Sequence, residues 1–84
     1  MNRQQSLLEE TRLLAQRLER IYVDSIWARR SSGHRGNLLK WIERLENSAA
    51  ANQKIPSYEL DHLQGLLAAG YTLLEKAALE RLRR

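Results

Sequence analysis

Trp27-Ala28-Arg29-Arg30-Ser31-Ser32-Gly33-His34-Arg35-Gly36-Asn37-Leu38-Leu39-Lys40-Trp41 is the stretch on which the reading of the fold turns. Long helical patterns lie on both sides of it. Within it are both tryptophans, one of two histidines and two of the four glycines. No acid lies between Asp24 and Glu43, whereas Arg29, Arg30, Arg35 and Lys40 all do. Gly33 can take the left-handed backbone conformation that closes a helix. Asn37 after Gly36 is a good first cap for the next one. The stretch therefore reads as the connection between a first and a second helix, with Ser31 to Gly36 as its loop.

Working towards the amino end, Ser6 and Glu9 have the spacing of a capping box, so the first helix should start there. Leu7, Thr11, Leu14, Leu18, Ile21, Ser25 and Ala28 follow at steps of four and three, which places them on one seam of a packed helix. Leu8, Ala15 and Tyr22 widen that seam. Ile21, Tyr22, Val23, Ile26 and Trp27 make the far end apolar almost all round. The pattern predicts a helix over about 6–31.

Towards the carboxyl end, Leu38, Ile42, Leu45 and Ala49 form the buried stripe of a second helix, over about 37–51. Asn52 to Pro56 make the next connection, because the residue before a proline is biased away from helix. Ser57 is the expected cap of a third helix over about 57–83. Glu59 and Asp61 sit in its first turn and Arg81, Arg83 and Arg84 at its end, where each sign complements the helix dipole. Leu60, Leu63, Leu67, Gly70, Leu74 and Ala77 run along it at steps of three and four. Gly65 and Gly70 each cost about 1 kcal/mol of helix propensity relative to alanine, so a neighbouring helix should approach closely there.

These elements define an all-α fold, one helical domain over 1–84: a three-helix bundle with long first and third helices and a shorter second. At 1.5 Å per residue the outer helices would each be roughly 36 Å long and the second about 21 Å. Such a bundle leaves apolar surface uncovered at the far halves of the long helices. A two-fold homodimer is the expected repair.

Composition narrows the classes further. With 84 residues, 43% hydrophobic and 29% charged, the chain is a small folded domain rather than a disordered segment. No run approaches the roughly 20 apolar residues needed to span a bilayer, so no membrane association is expected. The absence of cysteine removes disulfides and thiolate chemistry, and with no apolar leader at the amino end the expected setting is cytoplasmic.

The basic stretch supplies the one candidate site. Glycine-freed amides ahead of a helix, together with Arg29, Arg30, His34, Arg35 and Lys40, suit an anion, and Trp41 or Trp27 could stack on an unpaired base. The pattern is not a P-loop. Its competing explanation is a solvated connection with both tryptophans packed in the core. Glu59 and His62, three apart on one helix face, resemble half of a bundle metal site, but the further inward glutamates it would need are not evident. No metal or cofactor is expected. The two histidines fall on different elements, so no nucleophile and base converge and no enzyme activity is expected. The leading expectation is a small, basic interaction or adaptor module, homodimeric and binding an unidentified protein through a helix face. The alternative is a nucleic-acid-binding accessory protein using residues 29–40.

Overall fold

The computed structural model describes residues 2–20 and 26–82. The described residues form three helices: α1 Arg3–Glu19, α2 Ile26–Ala50 and α3 Ser57–Leu82. Ion pairs fix their directions. Arg12 of α1 meets Glu46 of α2 and Glu19 meets Arg35, so these two helices run antiparallel. Arg3 reaches Asp61, and Leu14 lies against Gly70, so α1 and α3 run parallel. The bundle is a rod of 47 × 19 × 17 Å.

α1 starts earlier than the capping box predicts. The Asn2 side chain accepts from the Gln5 amide at 2.8 Å, and the Ser6 amide already donates to the Asn2 carbonyl. Ser6 thus lies inside the helix. Leu7, Leu8, Thr11, Leu14, Ala15 and Leu18 are buried as the seam requires. Thr11 is tolerated among them because its hydroxyl donates to the Leu7 carbonyl at 2.6 Å. The helix ends at Glu19, where Arg20 leaves helical geometry with its amide on the Arg17 carbonyl. No glycine or proline marks that end. The expected continuation through Ile21, Tyr22 and Ser25 lies outside the described residues, as do the side chains of Trp27 and Ala28.

The largest correction concerns α2. Ser31 to Gly36 is not a loop, Gly33 is not a helix stop and Asn37 is not a cap: all lie inside one continuous helix of 25 residues. Neither glycine has a positive φ. What holds the segment helical is an inward face extending the leucine stripe backwards, Ser31, His34, Leu38 and Leu45, at steps of three, four and seven. Ser31, Leu38 and Leu45 are at most 1% exposed. The two upstream members are polar, so hydropathy did not reveal the stripe. The expected lengths are thereby exchanged: α1, at 17 residues, is the short helix, and α2 is nearly as long as α3. Ala49, expected in the stripe, is exposed.

The connection after α2 lies where the proline and asparagine place it. Asn52 has φ 54°, with its amide on the Ala49 carbonyl and the Gln53 amide on the Ser48 carbonyl, a Schellman closure. Gln4 of α1 clamps the same segment: its side chain accepts from the Ile55 amide at 3.0 Å and donates to the Gln53 carbonyl. α3 begins on the Pro56 carbonyl, which accepts from Glu59 and Leu60. Ser57 is therefore the first helical residue rather than the cap, and its hydroxyl accepts from Arg3.

Candidate functional site

The six residues singled out from the sequence do not converge. Arg29 and Lys40 are exposed and share the outer ridge of α2 with Gly33 and Gly36, at steps of four, three and four; Arg30 is exposed beside them. Arg35 points to the α1 side and pairs with Glu19. His34 points the other way, half-buried against α3, where its Nε2 lies 2.6 Å from the Leu66 carbonyl oxygen. That partner only accepts, so Nε2 carries the hydrogen. Gly70 makes this approach possible: a Cβ built there would lie 3.2 Å from His34 Nε2 and 2.6 Å from Leu14 Cδ2. The close approach expected in mid-α3 is thus met within the chain at Gly70. At Gly65 nothing lies within 4 Å.

Trp41 is partly buried against the core, with the Arg44 guanidinium 5.1 Å above its ring. Arg44 in turn donates to Glu59 of α3 at 2.5 Å. This bond holds the Glu59 carboxyl below its ordinary range and the Arg44 guanidinium above its own. Glu59 is therefore committed to an ion pair, while His62 faces solvent. Among the described residues no group of three acids, histidines or cysteines is placed to hold a metal. Ser31 sits one turn before His34, yet its hydroxyl is buried and has no hydrogen-bond partner among the described residues. A nucleophile needs access and a base, and this hydroxyl has neither.

An open groove of about 570 Å³ runs between the end of α2 and the following connection, lined in part by Lys40, Glu43, Arg44 and Lys54. Its charges are mixed and largely solvated. No buried polar group faces it.

A different surface lies at the far end of α3. The contact of Leu14, His34 and Gly70 divides the rod. On one side lie most of the buried leucines; on the other, no described residue of α3 past Gly70 is buried. Leu73, Leu74 and Ala77 are half-buried, Leu79 is 49% exposed and Leu82 81%. The chain exposes 5970 Å² in all, against roughly 5,200 Å² for a compact monomer of this mass.

No described helix is long and apolar enough to cross a membrane. No protein-family profile, curated protein sequence or solved structure matches the chain.

Proposed function

We propose that the chain is a non-enzymatic helical interaction module that engages another protein through the outer ends of α2 and α3. The observation carrying this reading is the exposure of Leu79, at 49%, and Leu82, at 81%, at the end of α3, next to Leu73 and Leu74, which are partly buried against the core. Self-association was expected because a short second helix would leave its neighbours bare. With α2 at 25 residues that premise is gone, and pairing becomes a property to measure at the new surface.

The nucleic-acid version loses several of its contacts. Arg35 is paired, His34 is bonded to α3 and Trp41 packs on the core, and the exposed members of the six are Arg29, Arg30 and Lys40. The amides of Gly36 and Asn37 belong to a helix interior rather than to an anion-binding helix start.

The test is capture from cell extract by the full chain and by a Leu79→Asp/Leu82→Asp variant, quantified side by side. A partner retained by the first and lost by the second supports the reading. Identical recoveries, or none, would remove it.

A further inference from the structure

We draw no further inference here: the strongest candidate, the outward face of α3 that runs from Tyr58 through Gly65, Ala68 and Ala69 to Leu79 and Leu82, is a stripe of small residues between exposed apolar ends, and nothing in the structure shows what covers it.

Discussion

Four glycines occupy helix interiors here, and their surroundings give them opposite expected responses to a methyl group. At Gly33 and Gly36 an added Cβ meets nothing within 4 Å, so Gly33→Ala and Gly36→Ala should each stabilise the fold by about 0.5–1 kcal/mol through helix propensity alone. At Gly70 the same methyl would push on Leu14, which is fully buried, and on the His34 ring. Gly70→Ala is expected to destabilise by about 1–2 kcal/mol, overpacking outweighing the propensity gain. Urea midpoints of the three variants check this, and equal stabilisation by all three would show that Gly70 is not under compression. Ser31→Ala should also stabilise, by about 1 kcal/mol, since it removes a buried hydroxyl that has no described partner to lose. Asn52, at φ 54°, responds in the other direction: Asn52→Val should cost about 1–2 kcal/mol in the same assay and Asn52→Gly little or nothing.

At the scale of the element, the link from α2 to α3 through Arg44 and Glu59 carries a definite pH dependence. The Glu59 carboxyl titrates lower in the folded chain than in the unfolded one, so the stability it contributes is present above the ordinary carboxylate range and is lost as pH falls through the lowered folded value. Glu59→Gln should therefore flatten the acid limb of a stability profile. Tyr71 behaves oppositely. Burial first, and then the neighbouring Glu10 charge, raise its phenol above 10.0, so its contribution holds below that value and is lost as pH climbs through the raised one. Tyr71→Phe should remove that part of the alkaline loss. Both are read from denaturant midpoints across pH.

The helices also show why one connection was legible in the sequence and the other was not. Asn52 and Pro56 act locally: one closes α2, the other cannot continue a helix, and neither needs a distant contact. Gly33, Gly36 and Asn37 carry equally strong local cues for a break, but the cues are overridden by contacts invisible in spacing. His34 finds a carbonyl 32 residues away, and Arg35 finds Glu19 on another helix. The spread of the candidate site residues has the same cause. Its six residues are neighbours in sequence, and a continuous helix distributes neighbours around its circumference.

For the whole molecule, burial is concentrated on one side of the Leu14, His34 and Gly70 contact. Leu60, Leu63 and Leu67 are at most 6% exposed, whereas α3 beyond Gly70 contributes only partly covered side chains. Backbone opening follows the density of buried contacts, so amides of 72–82 should exchange with solvent faster than those of 60–70. Uniform protection along α3 would contradict the division. Because α1 and α3 run parallel, Asn2 and Leu82 stand at opposite ends of a 47 Å rod. A tether, label or fused domain mounted at Asn2 would point away from the leucine-bearing end and leave it presented outward, whereas the same attachment after Leu82 would stand in front of it.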